Sequence, residues 1–168
     1  MKRLDQELPS SLVETLGGIV KGEVADLQHA RHGMKTPPWE FSCDLYDQVK
    51  DFFIYKDKGG AIGHISWVYY RNDPNRIIRL GLHEGEIKYS LTLEPYRGKN
   101  LYPLTLIQIQ KYLRGKGYRR VFICVEERNL PSIRGIEKAG FKTISRLQLI
   151  KVMGIQLSKK YYWSEAIG

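Results

Sequence analysis

The stretch Leu93-Glu94-Pro95-Tyr96-Arg97-Gly98-Lys99-Asn100-Leu101-Tyr102-Pro103-Leu104-Thr105-Leu106-Ile107-Gln108-Ile109-Gln110-Lys111-Tyr112 decides how this chain is read. On its N-terminal side, Ile87, Tyr89, Leu91 and Leu93 are apolar at every second position, with Lys88, Ser90 and Thr92 between them. Period two is the signature of a strand. On its C-terminal side, Tyr102, Leu106, Ile109 and Leu113 are spaced four, three and four, one stripe of a helix. Arg97, Gly98, Lys99 and Asn100 lie between, residue types that let a backbone turn sharply and present N–H groups. Pro103 sits early in the helix, where its missing N–H costs little.

A strand that feeds a polar turn and then a helix is a ready anion site. The first N–H groups of a helix have no internal acceptor, and the helix dipole adds partial positive charge there. Arg97 and Lys99 put full charges beside those donors. The group such a junction suits is a phosphate or pyrophosphate; a solvated basic turn fits the same residues.

The rest of the chain bounds the reading. Its 168 residues suit one domain spanning 1–168, long enough to bury a full core. A hydrophobic share of 42% beside 27% charged residues is that of an ordinary globular protein. Lys and Arg exceed Asp and Glu by 27 to 18, a formal net charge of +9, which favours an anionic partner. The charges are scattered in short pairs such as Arg119-Arg120 and Lys159-Lys160, so composition alone does not choose among cofactor, acidic substrate and nucleic acid. Cys43 and Cys124 are the only cysteines, and neither has a histidine at metal-ligand spacing, so no disulfide framework or metal site is expected. The polar N-terminus and the lack of a long apolar run predict no signal peptide and no membrane span, with a reducing cytoplasmic setting.

Around the central stretch the elements fall in a simple order. In the first fifty residues, Pro9-Ser10-Ser11 opens a short helix through Leu12 and Leu16, and residues Glu23 to His32 form a second, ended by Gly33. Trp39, Phe41 and Tyr46 form an aromatic cluster on a loop or short helix, serving core packing or a substrate groove. Asp51 to Lys56 and Ala61 to Tyr70 are strands joined by the hairpin turn Asp57-Lys58-Gly59-Gly60. After the central helix, Val121 to Val125 is apolar at every position, the pattern of a parallel strand covered on both faces, with Cys124 as a small core residue. A short helix ends at Gly140, and Phe141 to Met153 with Ile155 to Tyr162 make a closing hairpin. The predicted fold is therefore mixed α/β: a central mixed sheet in which antiparallel hairpins flank a β-α-β-α unit, with helices on both faces.

Two motifs resemble those of the GNAT acyltransferase superfamily. Tyr96-Arg97-Gly98-Lys99-Asn100-Leu101-Tyr102, set between strand and helix, is similar to the family's acetyl-CoA pyrophosphate loop, Arg-Gly-x-Gly-x-Gly or Arg-Gly-x-Gly-x-Ala. Val125-Glu126-Glu127-Arg128-Asn129-Leu130-Pro131-Ser132, followed by Glu137-Lys138-Ala139-Gly140-Phe141, is similar to its strand, Asn-x-x-Ser and Glu-Lys-x-Gly-Phe. The resemblance covers Phe52 to about Tyr162. Asn100 and Tyr102 stand where the family has Gly or a small residue, and Ile136 stands where it often has Tyr.

The resemblance implies acetyl transfer from acetyl-CoA to an amine of a small molecule or protein, by direct attack through a tetrahedral intermediate, with no metal. It implies that the amides of Gly98, Asn100, Leu101 and Tyr102, helped by Arg97 and Lys99, hold the pyrophosphate, and that pantetheine pairs with the strand at Leu91 and Leu93. It implies a backbone N–H near Leu93 for the oxyanion, and contacts from Asn129 and Ser132 to the pantetheine or thiol side. Asn129 also fits as a helix cap. Base candidates are Glu86 and Glu94 at the ends of the central strand and His64 on the preceding one, with His83 weaker; Ser132, another tyrosine or solvent would protonate the thiolate. The alternative is a non-catalytic acyl-CoA-binding regulatory domain. No aromatic-basic strand motif points to nucleic acid, no membrane contact is expected, and the chain is a monomer or a homodimer paired through the edge at 155–162.

Overall fold

The computed structural model describes residues 18–152 and 155–165. The helix expected near Leu12 and the turn at Met153-Gly154 lie outside them. The elements are β1 (Ile19–Lys21), α1 (Val24–Gly33), a 3-10 turn (Trp39–Ser42) running into α2 (Cys43–Tyr46), β2 (Asp51–Lys56), β3 (Ile62–Tyr69), β4 (Glu84–Thr92), a second 3-10 turn (Glu94–Tyr96), α3 (Leu101–Gly115), β5 (Arg120–Glu126), α4 (Leu130–Lys138), β6 (Lys142–Val152) and β7 (Ile155–Glu165). Seven strands form one sheet in the order β1-β2-β3-β4-β5-β7-β6. All neighbours are antiparallel except β4 and β5, which α3 joins as a parallel crossover. The fold is mixed α/β, as the element order predicts.

Local chemistry accounts for the joints. The β2–β3 hairpin closes on Asp57, whose Oδ1 accepts the N–H groups of Gly59 and Ala61 at 2.9 Å each, while Gly60 takes φ +83°. A reciprocal cap starts α1, with Asp26 Oδ2 accepting the N–H of Glu23 at 2.9 Å.

The sheet separates two apolar layers. On one face α3 and α4 pack Leu106, Ile109, Leu113, Ile133 and Ile136 against Val68, Ile87, Val121, Ile123 and Tyr162. On the other, Leu27 and Phe41 close over Phe52, Ile54, Ile65, Trp67 and Tyr69. The aromatic cluster divides: Phe41 is buried, Trp39 and Tyr46 are exposed, and Trp39 lies edge-on to Tyr89 with centroids 4.4 Å apart. No residue of β5 belongs to the second layer, so Val121, Ile123 and Val125 are buried while Phe122 and Cys124 between them are only half covered. The expectation of a strand covered on both faces is corrected to that extent. The sheet edge beside β7 is β6, not the 155–162 segment, because β7 lies between β5 and β6.

One departure matters most. Ile65 pairs with Leu91 but Trp67 with Lys88, so β4 carries one extra residue, and Tyr89 sits there at φ +50°. A one-residue bulge reverses the faces beyond it. Ile87 therefore packs under α3, whereas Tyr89, Leu91 and Leu93 pack in the opposite layer. Their unbroken alternation in sequence hides that reversal. A left-handed tyrosine costs about 1–2 kcal/mol, and the rings of Trp39 and Tyr69 with Lys88 Nζ, 4.4 Å from its centroid, hold it.

Candidate active site

Strands β4 and β5 pair from Glu84↔Arg120 to Ile87↔Ile123 and no further. Beyond that point β5 follows β7 while β4 stays with β3, so the two parallel strands part. The gap opens into a cleft of about 590 Å³ beneath the N-termini of α3 and α4, a size suited to a small-molecule ligand.

The bulge sets which backbone groups face this gap. The Leu93 N–H donates to the carbonyl of Gly63 at 2.9 Å. Antiparallel alternation then turns Leu91 toward β3 as well, and turns the amides of Ser90 and Thr92 toward the cleft. The Thr92 carbonyl agrees, accepting from Arg97 Nε at 3.3 Å on that side. An oxyanion amide at Leu93 is thus corrected: its N–H is held within the sheet, and Ser90 and Thr92 carry the open ones.

The mouth is formed by the turn before α3. Tyr96 anchors it, donating to Asp57 Oδ2 at 2.6 Å and lying over Gly63, where a Cβ would come within 2.5 Å of the ring. Gly98 at φ +78° and Asn100 at φ +54° alternate with Lys99, which turns successive N–H groups to one side in an anion-binding nest. Among the described residues, no protein acceptor meets the amides of Gly98, Lys99, Asn100, Leu101 and Tyr102. Asn100 does take the left-handed conformation that the motif otherwise gives to Gly.

The cleft brings together Leu91, Arg97, Gly98, Asn100, Leu101, Tyr102, Asn129 and Ser132 among the residues singled out from sequence. Lys99 points away, with its Nζ 5.2 Å from the Tyr96 ring centroid. Asn129 caps α4, its Oδ1 accepting the Ser132 N–H at 3.2 Å, which leaves its side-chain amide N–H groups to the cleft. Arg134 and Lys138 also line the cleft, and Lys138 Nζ donates to Asn100 Oδ1 at 3.2 Å across the mouth. Sequence reading missed this pair; two basic residues four apart on the helix after Asn129 were its signal.

The candidate bases fare differently. Glu94 is exposed on the 3-10 turn, and neither it nor Glu86 lines the cleft. Glu86 is fully buried; burial pushes its carboxyl above the usual range, and its Oε2 accepts the Ile77 N–H at 3.0 Å, fastening the 71–85 connection. His83 is exposed, with its carbonyl accepting from Arg119. His64 lines the cleft floor, but burial pushes its pKa down to about 3, and its nitrogens engage Thr92 Oγ1 at 2.7 Å and Ser66 Oγ at 2.8 Å. It is a neutral member of a network with no open nitrogen. Ile136 is fully buried in the core. Among the described residues, no cluster of His, Cys, Asp and Glu could hold a metal, and no helix is long and apolar enough to cross a membrane.

The chain resembles a Salmonella typhimurium protein solved with its cofactor acetyl-CoA (15% identity, TM-score 0.64, 88% of this chain and 92% of that one). It resembles a ribosomal-protein-alanine N-acetyltransferase from Brucella melitensis (16%, 0.63, 88% and 98%) and the spermidine/spermine N-acetyltransferase of Vibrio cholerae (12%, 0.62, 90% and 95%). At such identities the likeness is one of fold. No curated protein sequence matches significantly. The acetyltransferase (GNAT) domain model, however, matches residues 21–142, which span the bulged strand, the amide cradle and the capped helix together. By that match, the chain belongs to the GNAT acetyltransferase family.

Proposed function

We propose that this protein transfers an acetyl group from acetyl-CoA to an amine of a small molecule or a protein, by direct attack on the thioester. The observation that carries the reading is the parting of β4 from β5 under a cradle of unpaired amides. The cradle suits a diphosphate, with Arg97, Arg134 and Lys138 adding positive charge around it. The gap suits an extended pantetheine arm, since the Ser90 and Thr92 backbone groups facing it would accept a strand-like partner. One of those amides would stabilise the oxyanion. Acceptor choice falls to the opposite face, where Glu86 and Lys88 tie down the 71–85 connection. A net charge of +9 disfavours a polycationic acceptor and favours a neutral or anionic amine.

Calorimetry with acetyl-CoA, followed by thiol release across an amine panel, tests the reading. Binding with release for at least one amine supports it. No uptake of acetyl-CoA overturns it, and tight uptake without release for any amine favours the regulatory alternative, to which the burial of Ile136 gives some weight. Asn129→Ala should weaken acetyl-CoA binding by about 1–3 kcal/mol and lower stability by about 1 kcal/mol, through the lost contact and the lost cap. Asn129→Ser keeps a capping oxygen and should restore stability without restoring affinity. Recovery of both by Ser would show that Asn129 acts only as a cap.

A further inference from the structure

The amide cradle has little packing of its own. Arg97, Gly98, Lys99 and Asn100 are all exposed. The chain is pinned where the cradle ends, at Leu101, which is 2% exposed, and where it begins, at Tyr96. Between these two points the side-chain tethers are long and lie in solvent: Arg97 Nε to the Thr92 carbonyl at 3.3 Å, and Lys138 Nζ to Asn100 Oδ1 at 3.2 Å. Gly98, at φ +78°, adds backbone freedom. The N–H groups of such a segment converge only if its entry is held.

The entry is held from the β2–β3 hairpin. The Tyr96 O–H donates to Asp57 Oδ2 at 2.6 Å, across 39 residues of chain. Asp57 Oδ1 accepts the N–H groups of Gly59 and Ala61, so one carboxylate both closes the hairpin and fixes the tyrosine. The Tyr96 hydroxyl, ahead of the Ala61 N–H, keeps that carboxyl below its ordinary 3.8, so the bond is charge-assisted. The ring has a slot as well. Gly63 on β3 leaves open the space where a Cβ would come within 2.5 Å of it. Tyr55 on β2 meets it edge-on with centroids 6.1 Å apart, and Lys99 Nζ lies over it at 5.2 Å. A hairpin turn and a strand glycine are thus both fitted to one side chain at the head of the cradle.

Resting on the acetyl-transfer reading, we propose that Asp57 and Gly63 are positioning residues for the cofactor, acting through Tyr96 to hold the cradle in the form that takes a diphosphate. Neither lines the cleft. A cradle freed from the hairpin spends less time formed, and affinity falls by that fraction. Linkage makes the effect reciprocal: a bound diphosphate tightens the Tyr96–Asp57 bond, and with it the hairpin turn.

The test is calorimetry with CoA, joined to hydrogen exchange at the Gly59 and Ala61 amides with and without CoA; neither needs an acceptor. Tyr96→Phe keeps the ring in its slot and removes the bond, so it should weaken CoA binding about fivefold. Asp57→Ala should weaken it at least as much, and adding Tyr96→Phe to Asp57→Ala should weaken it no further, since both delete one bond. Gly63→Ala, which drives the ring from its slot, should weaken it about tenfold. In wild type, CoA should slow exchange at Gly59 and Ala61 severalfold, and in Tyr96→Phe it should not. A residue that only stabilised the fold would produce no such CoA-dependent protection. Wild-type protein that does not bind CoA overturns the acetyl-transfer reading and this inference with it. Where wild type binds, unchanged CoA affinity in either Tyr96→Phe or Gly63→Ala overturns this inference alone, as does exchange at Gly59 and Ala61 that is indifferent to CoA. These readouts decide the matter even should Asp57→Ala, which also loses the hairpin bonds, not fold.

Discussion

Gly98→Glu is expected to abolish measurable acetyl-CoA binding while leaving the protein folded. Gly98 stands at φ +78°, where an L side chain costs about 1–2 kcal/mol. No atom lies within 4 Å of where its Cβ would be, so the fold itself raises no clash. The added carboxylate faces the cradle that would receive a diphosphate, and like charges near 4 Å repel by about 1 kcal/mol in water and several at lower effective dielectric. Together these exceed about 3 kcal/mol, more than a hundredfold in Kd. Gly98→Ala separates the two causes: it keeps the backbone strain and omits the charge, so it should weaken binding about tenfold. Calorimetry on both variants, with a thermal melt for each, checks the pair. Unchanged affinity in Gly98→Glu would mean that the anion site is elsewhere.

The middle of the fold was legible because its signals are local. Period two before Leu93 and the 4-3-4 stripe from Tyr102 to Leu113 each need only a dozen neighbouring residues. What escaped needs tertiary context. β1 is three residues long, too short for a period, and exists because Ile19 to Lys21 pair with β2. The bulge leaves no mark in the apolar alternation, since Ile87 and Tyr89 are both apolar on either side of the reversal. The oxyanion amide that the family resemblance implies near Leu93 could not be placed to the residue for the same reason: only the paired strands show that the Leu93 N–H goes to Gly63.

The site itself was partly legible for the same reason. Arg97 to Tyr102 and Asn129 to Ser132 are contiguous motifs, and the cleft gathers most of both. The polar chain through His64, Ser66, Ser90 and Thr92 is spread over two strands; only their juxtaposition makes it a network. In sequence each is an isolated polar residue in an apolar run. Its trace, polar side chains two apart on both strands, has meaning only once the strands pair.

The largest expected loss of stability lies at Asp51, because one carboxylate fastens four elements. Its Oδ1 pairs with Lys21 Nζ on β1 at 2.6 Å, and its Oδ2 accepts the hydroxyls of Tyr70, just past β3, at 2.5 Å and Tyr112, on α3, at 3.1 Å. Lys21 is 41% exposed and can rehydrate, so the ion pair alone counts for little. The Tyr70 and Tyr112 hydroxyls are less able to do so, and stranding them makes Asp51→Ala cost about 2–4 kcal/mol, or roughly 5–15 °C in Tm at this size. Burial raises the Asp51 pKa, but hydrogen bonds from Lys21 and Tyr70 outweigh it and hold the carboxyl below its ordinary 3.8. A folded-state pKa below the unfolded one means that its stabilisation is fully present above the unfolded value and is lost as pH falls through the folded one. The stability gap between wild type and Asp51→Asn should therefore be constant near neutrality and narrow below about pH 4. Denaturant melts of both proteins across that range decide it: a gap that does not shrink in acid would mean that the hydroxyl contacts, and not the charge, supply what Asp51 contributes.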